Sequence, residues 1–363
     1  MSCVPEKEGP VRDIERKCAG GEEEKGINVE SDKVQMHRDA LVSFFKYHLQ
    51  ELPEPYIELD TSRISALYFC VVGLDLLNEL DSISSRRVDI IEFVYAQQLI
   101  APEGCSFGHR GFLGTFAGQR FGTCLCASMC LPTGDVSHVK TSQCSINPRT
   151  CFMEGHIAMT YTALAVLKTL GDDLSRVDKK GLVEGEFLDS NHICILPFLL
   201  VAQILLELKL LQQTDGSFAA SHDCGECDMR FLFCACAISS FIGDWSGIDK
   251  ELAMKYIKSC ITYEGGFSLV PNGEAHGGSC YCATASLVLM ENLECLGKNE
   301  VSNLIQYCIH RQNRGYQGRT EKEPDTCYSF WVGGTLDLLG CMDVTDIDST
   351  RDFLVRLMAF QNI

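Results

Sequence analysis

Basic residues are scarce in this chain. Thirty-one Lys and Arg stand against 49 Asp and Glu, leaving a formal charge of −18. A protein that lives on nucleic acid needs a cationic face for the phosphates, so the balance argues against nucleic acid as the main partner and tolerates basic partners instead. Long apolar runs are missing as well. The strongest candidate, Ile193 to Leu206 (ICILPFLLVAQILL), contains Pro197 and is shorter than the roughly 20 residues a spanning helix needs. No membrane span is expected. Alternating apolar and polar runs of the kind that make half-buried strands are absent too. No signal peptide or small-domain context accompanies the 21 cysteines. Many of them sit inside apolar helical stretches such as FLFCACAISS and GGSCYCATASLVLM, where cysteine acts as a small core residue. The expectation is a reduced, cytoplasmic protein and not a disulfide scaffold.

What is present is apolar and helical. Hydrophobic residues make up 46% of 363 positions, enough for a sizeable core. Residues 1–34 are rich in Glu, Lys and Gly and read as a solvated tail; residues 35–363 are expected to fold. From Ala40 onward, Leu41, Phe44, Phe45, His48, Leu49 and Leu52 follow the three-to-four spacing of an amphipathic helix, and Pro53 with Pro55 stops it.

The second half repeats. Phe218 in QQTDGSF, Phe267 in TYEGGF and Tyr316 in RQNRGY fall 49 residues apart (267 − 218 and 316 − 267), as do Gln312 and Gln361. A glycine turn with two amphipathic stretches per period describes helical hairpins stacked side by side. The other helix of each hairpin keeps the same beat: Asp228, His276 and Asp325 open DMRFLFCACAISS, HGGSCYCATASLVLM and DTCYSFWVGGTLDLLG. Three helix entrances at one phase should face one space, and their unpaired N–H groups would attract an anion. An earlier unit opens at His156 in GHIAMTYTALAVLKTLG, 72 residues before Asp228. The excess over one period suggests an insertion near residues 181–203.

One entrance concentrates chemistry. GYQGRTEKEPDTCYSFW places Arg319, Lys322, Asp325, Cys327 and Tyr328 within ten positions. Asp325 and Cys327, two apart at a helix start, could grip a metal ion; equally, Asp325 could cap the helix while Cys327 is a buried thiol. Two cations, a phenol and His276 suit a diphosphate, as bidentate fork, point charge and neutral donors.

The stretches GHIAMTYTALAVLKTLGDDLSRV, DMRFLFCACAI, WSGIDKELAMKYI, AHGGSCYCATASLVLM and GYQGR…K…DTCYSFWVGGTL resemble the beta subunits of the protein prenyltransferase family, in particular those of the type I geranylgeranyltransferases. The farnesyltransferase beta subunits share the same key positions and are the nearest alternative. The resemblance implies an all-α fold, an alpha-alpha toroid of helical hairpins whose funnel holds a lipid chain, with a zinc ion at its rim and an obligatory alpha subunit. It assigns Asp325 and Cys327 as zinc ligands. His276, Arg319, Lys322 and Tyr328 would hold the prenyl diphosphate, with Arg230 nearby, and Ser65 would be the small residue that lengthens the lipid pocket. The implied reaction transfers a geranylgeranyl group from geranylgeranyl diphosphate to the cysteine of C-terminal CaaX proteins, often with Leu last.

Two features depart from that pattern. The family's third zinc ligand, a His about one repeat beyond Asp325 and Cys327, has no counterpart here, and His310 in CIHRQ is a poor substitute on an outer helix. The toroid is therefore expected to be incomplete at its C-terminal end and the chain impaired, which leaves open a non-catalytic variant that binds the alpha subunit or the lipid. Residues 112–153 are also atypical; Cys124, Cys126, Cys130, His138 and Cys144 lack the spacing of a metal finger.

Overall fold

Buried aromatics mark the turns from which the repeats are built. The computed structural model describes residues 28–51, 53–56, 62–97, 117–119, 153–174, 196–221 and 224–360. They divide into two units, residues 39–207 and residues 208–363 with the N-terminal residues up to 38. The atypical segment at 112–153 lies almost wholly outside the described residues, as do most of 181–203 and Gln361.

Helix α1 (Asn28–His48) belongs to the first unit from Asp39 on and is followed there by α2 (Arg63–Leu76), a 3-10 turn at Leu80–Arg86 and α3 (Arg87–Ala96). Helix α1 starts inside the stretch expected to be a solvated tail. Strands β1 (Ala117–Gln119) and β2 (Met153–Gly155) pair antiparallel and lead into α4 (Ile157–Thr169), which packs on α2. Gly73 lets α2 approach α1 closely, since a Cβ there would stand 2.6 Å from the Phe45 ring.

Helix α5 (Leu196–Leu211) contains the odd apolar run. Pro197 falls in its first turn, where the missing N–H costs no intrahelical bond. Among the described residues no helix is long and apolar enough to cross a membrane.

The second unit is the repeat itself. Strands β3 (Phe218–Ala219) and β4 (Cys227–Asp228) precede α6 (Met229–Ile242) and α7 (Lys250–Ser259); α8 (Gly277–Leu289) and α9 (Lys298–His310) follow. Then β5 (Gln312–Asn313), β6 (Gly315–Gln317) and β7 (Pro324–Asp325) form a small antiparallel sheet before α10 (Thr326–Leu338) and α11 (Ile347–Phe360). Helices α6, α8 and α10 lie side by side, α8 in the middle. They are the inner layer: Cys234, Ala235, Cys236, Cys280, Cys282, Ala283 and Ala285 are buried, and these small side chains allow close approach. The outer helices are one-sided. In α7 only Ala253, Tyr256 and Ile257 are buried, in α9 only Leu304, Tyr307 and Cys308, the spacing of a single helical face.

Register is held at the turns. Phe218, Phe267 and Tyr316 are all buried, each contributing about 1.5–3 kcal/mol by leaving water. The left-handed position of each turn also recurs at the 49-residue beat, as Gly216 (φ 96°), Gly265 (φ 92°) and Arg314 (φ 62°). Glycine is needed at the second of these, since a Cβ on Gly265 would meet the Asn303 carbonyl at 2.7 Å. The amides of Gln212 and Gln312 exchange two hydrogen bonds with the backbone of Asp249 and Asp346, the residues that start α7 and α11. A turn is thereby tied to the next outer helix.

Candidate functional site

Four helices, α4, α6, α8 and α10, begin in the same way. His156, Asp228, His276 and Asp325 have extended backbone, and each side chain accepts the N–H two residues on, from Ala158, Arg230, Gly278 and Cys327. These are N-caps, worth about 1 kcal/mol at an aspartate such as Asp228 or Asp325. Capping is therefore the backbone role of two residues, His276 and Asp325, that the sequence also marks for chemistry.

The caps differ in what else they touch. His276 Nδ1 accepts the Gly278 N–H at 3.0 Å, so the ring proton of the neutral imidazole sits on Nε2. Nε2 then donates to Tyr328 Oη, 3.0 Å away. Burial first, and the Arg319 guanidinium second, lower the His276 pKa and keep the ring neutral. Tyr328 is shifted upward by burial and by Cys327 and Asp325, so it remains a phenol whose own proton is free to be donated outward.

Glycine makes this contact possible. A Cβ on Gly318 would overlap the Tyr328 ring, and one on Gly277 would stand 3.3 Å from it and 2.8 Å from Val332. With both side chains absent, the strand after the turn crosses over the start of α8, where Gly277 N donates to Gly318 O at 2.8 Å. One repeat earlier Met229 N donates to Leu269 O at 3.1 Å. The same crossing is thus used twice.

Arg319 stands beside this pair, with Nη1 donating to Glu274 Oε2 at 2.9 Å. Arg230 is engaged by Glu226 and by the Asp228 carboxylate, and it lies close enough to His276 to help lower its pKa. Lys322 is exposed on the same loop as Arg319. The structure thus gathers His276, Tyr328, Arg319 and Arg230 around adjoining helix entrances. Ser65 belongs to the other unit, on α2, where its hydroxyl donates to Met159 Sδ at 3.5 Å.

Asp325 and Cys327 are side by side and exposed. One Asp325 oxygen accepts the Cys327 N–H at 3.0 Å, and its pKa is lowered, mainly by that bond. The Cys327 thiol is pushed up to about 11 by partial desolvation and then by the carboxylate. Cys327 is not the buried thiol of the alternative reading. Among the described residues no group of three or more His, Cys, Asp or Glu is placed to hold a metal ion. A catalytic zinc takes three protein ligands, so the described donors amount to two of the three and do not fit a complete site.

Directly below the caps lies an aromatic layer that was not singled out in the sequence. Phe233, Tyr281 and Phe330 are each the fifth residue of α6, α8 and α10, with Phe233 and Tyr281 centroids 5.8 Å apart and Tyr281 and Phe330 4.8 Å apart. Trp331 joins them, 5.3 Å from Tyr281. Phe330 is 41% exposed, so the layer presents an aromatic surface and is not sealed within the core. Tyr161 holds the same fifth position in α4 and meets Tyr68 of α2, hydroxyl to hydroxyl, at 3.2 Å. The signal was available: 233, 281 and 330 keep the 48–49-residue beat.

The chain is similar to known proteins along most of its length. The Prenyltransferase alpha-alpha toroid domain matches residues 36–190 and 197–362. The geranylgeranyl transferase type-1 subunit beta of Dictyostelium discoideum is 36% identical over 327 residues, covering 88% of this chain and 81% of that protein. Its namesake in Arabidopsis thaliana is 33% identical over 341 residues, with coverage of 90% and 77%. The Arabidopsis thaliana protein farnesyltransferase subunit beta is more distant, 27% identical over 322 residues and covering 86% of this chain and 51% of that one. In fold, the chain matches Candida albicans protein geranylgeranyltransferase-I complexed with GGPP, with a TM-score of 0.61, 21% identity and coverage of 87% and 81%. The stacked hairpins read from the 49-residue beat and the all-α toroid that the resemblance implies are thus the fold, and the chain belongs to the prenyltransferase alpha-alpha toroid family, alongside its geranylgeranyl transferase type-1 beta subunits.

Proposed function

We propose that this chain is the beta subunit of a type I protein geranylgeranyltransferase, working in the cytoplasm with an alpha subunit. It transfers the geranylgeranyl group of geranylgeranyl diphosphate to the cysteine of proteins ending in a CaaX sequence, with Leu favoured in the last place. The single observation that carries this reading is the stacking of two layers on α6, α8 and α10. Arg230, His276 and Tyr328 stand at the N-terminal ends of these helices, two to five residues ahead of the aromatic layer of Phe233, Tyr281 and Phe330, with Arg319 beside them on the loop before α10. A molecule with an anionic head and a long apolar tail matches that sequence of environments.

In the reaction the substrate sulfur bonds to the first carbon of the lipid as the bond from that carbon to the diphosphate oxygen breaks. The bonding electrons leave with the diphosphate, and the thiol proton passes to solvent. Negative charge therefore grows on the leaving group, and fixed positive donors lower the barrier. Arg319 and Lys322 supply charge. Tyr328 supplies an O–H aimed by the Nε2–H of His276.

Zinc, when bound, would favour the thiolate form of the substrate cysteine. Asp325 and Cys327 are the described residues suited to it, but two donors do not make a zinc site. That shortfall favours a second reading, a subunit that binds the lipid diphosphate without transferring it. Both are tested by coexpressing the chain with an alpha subunit and measuring zinc content, lipid binding and transfer to a peptide ending in Cys-a-a-Leu. Transfer establishes the first reading. Lipid binding with neither zinc nor transfer establishes the second, and no binding of lipid contradicts both.

A further inference from the structure

The glutamates before the caps are placed with the regularity of the caps themselves. Glu226, Glu274 and Glu323 each stand two residues ahead of Asp228, His276 and Asp325, in a site otherwise arranged to attract an anion. One of them holds a residue assigned to that anion. Glu274 Oε2 accepts from Arg319 Nη1 at 2.9 Å, and the two side chains are about equally open to solvent, 50% and 42%. Nothing buries the pair, so an exposed ion pair of this kind adds little to stability. Its position matters more. Glu274 is two residues from His276 and acts on the imidazole with a sign opposite to that of Arg319, so the carboxylate lies within electrostatic reach of the place where the head group would sit.

We infer that Glu274 is an internal competitor for the diphosphate: its carboxylate occupies Arg319 in the free protein and must yield the guanidinium when the anionic head arrives. This rests on the diphosphate site described under the proposed function. A carboxylate and a phosphate oxygen accept the same guanidinium N–H groups in the same geometry, so Arg319 changes partner without changing position. Glu274 also repels the bound anion. The consequence is weaker binding of the lipid diphosphate than the cations alone would give, and easier release of the inorganic diphosphate left after transfer. In this view Glu274 is a positioning residue that tunes affinity and turnover and touches no reacting atom.

The test uses the full chain in complex with its alpha subunit. Inorganic diphosphate and geranylgeranyl diphosphate are titrated calorimetrically into the wild type, Glu274→Gln, Arg319→Gln and the double variant. Glu274→Gln should bind both ligands roughly three- to tenfold more tightly. In steady state, where transfer is measurable, KM for the lipid diphosphate should fall and inhibition by inorganic diphosphate should strengthen, while the single-turnover rate stays unchanged. In the Arg319→Gln background the tightening should largely disappear, because the competition runs through that guanidinium. If Glu274 only braced Arg319 in place, Glu274→Gln would bind more weakly, and weaker or unchanged binding beside a wild type that binds both ligands overturns the inference. A tightening that persists undiminished without Arg319 also overturns it. A wild-type complex that binds neither ligand overturns the diphosphate site itself, which is a separate and recognisable failure.

Discussion

His276 and Asp325 stand 49 residues apart, open adjacent inner helices and do the same backbone work, each accepting the N–H two residues on at 3.0 Å. Beyond that bond they diverge. His276 is half-buried, neutral and tied through Nε2 to Tyr328, while Asp325 is exposed, charged and next to an exposed thiol. The repeat sets where a side chain appears and not what it does there. A cap satisfies one backbone donor and leaves the remaining polar atoms of the same side chain for chemistry, so a structural role and a functional one are not alternatives at this rim. The left-handed turn position behaves alike: Gly216 and Gly265 are replaced by Arg314 at the same beat, and the turn is kept while the residue type changes.

The comparison can be broken most strongly on the His276 side. Gly318→Ala drives a methyl group into the Tyr328 ring, and the resulting overpacking should cost about 1–3 kcal/mol. A lower Tm together with loss of diphosphate binding would be read by thermal unfolding and calorimetry. Tyr328→Phe removes the hydroxyl and leaves the ring. Transfer should drop on the order of tenfold to a hundredfold, with Tm nearly unchanged, and a single-turnover assay checks this.

On the Asp325 side, two substitutions separate the cap from the metal role. Asp325→Ala should lower stability by about 1 kcal/mol and Asp325→Asn by much less, since Asn also caps. If the carboxylate serves a metal as well, both variants lose any zinc the wild-type complex carries, whatever their Tm. Equal zinc content in all three confines Asp325 to capping.

The smallest effect concerns pH. The His276 pKa is lowered below its ordinary 6.5 in the folded chain, so below that value the unfolded chain takes up a proton that the folded one resists. Stability from this residue is present above about pH 6.5 and lost as the pH falls through it. His276→Asn keeps a capping oxygen and has nothing to titrate. Its Tm should therefore fall less than that of the wild type between pH 7 and pH 5.5, and parallel losses would remove the buried neutral imidazole from the account.

Much of this could be read before any coordinates, for a physical reason. Phe218, Phe267 and Tyr316 must be buried for each hairpin to stack, so they recur at a fixed interval, and the phase of Asp228, His276 and Asp325 follows from them. The bond from His276 to Tyr328 spans 52 residues and depends on two glycines, 277 and 318, whose purpose shows only when the chain segments cross. The pairing of Arg319 with Glu274 and of Arg230 with Glu226 was equally hidden, because charge in a sequence has no partner until the loops are placed. Short strands such as β3 and β7, of two residues each, cannot produce an alternating pattern. Pro197 looked like an interruption of an apolar run and instead lies at the start of a helix.

The central claim is that the rim of α6, α8 and α10 binds a diphosphate through Arg319, His276 and Tyr328. Calorimetric titration of geranylgeranyl diphosphate into the complex of this chain with its alpha subunit, wild type against Arg319→Gln, tests it most directly, with uncharged geranylgeraniol as the control. Affinity for the diphosphate should fall roughly tenfold to a hundredfold, as the loss of a charge-assisted hydrogen bond requires, while the alcohol binds both proteins alike. Equal affinity of the two proteins for the diphosphate would contradict the account.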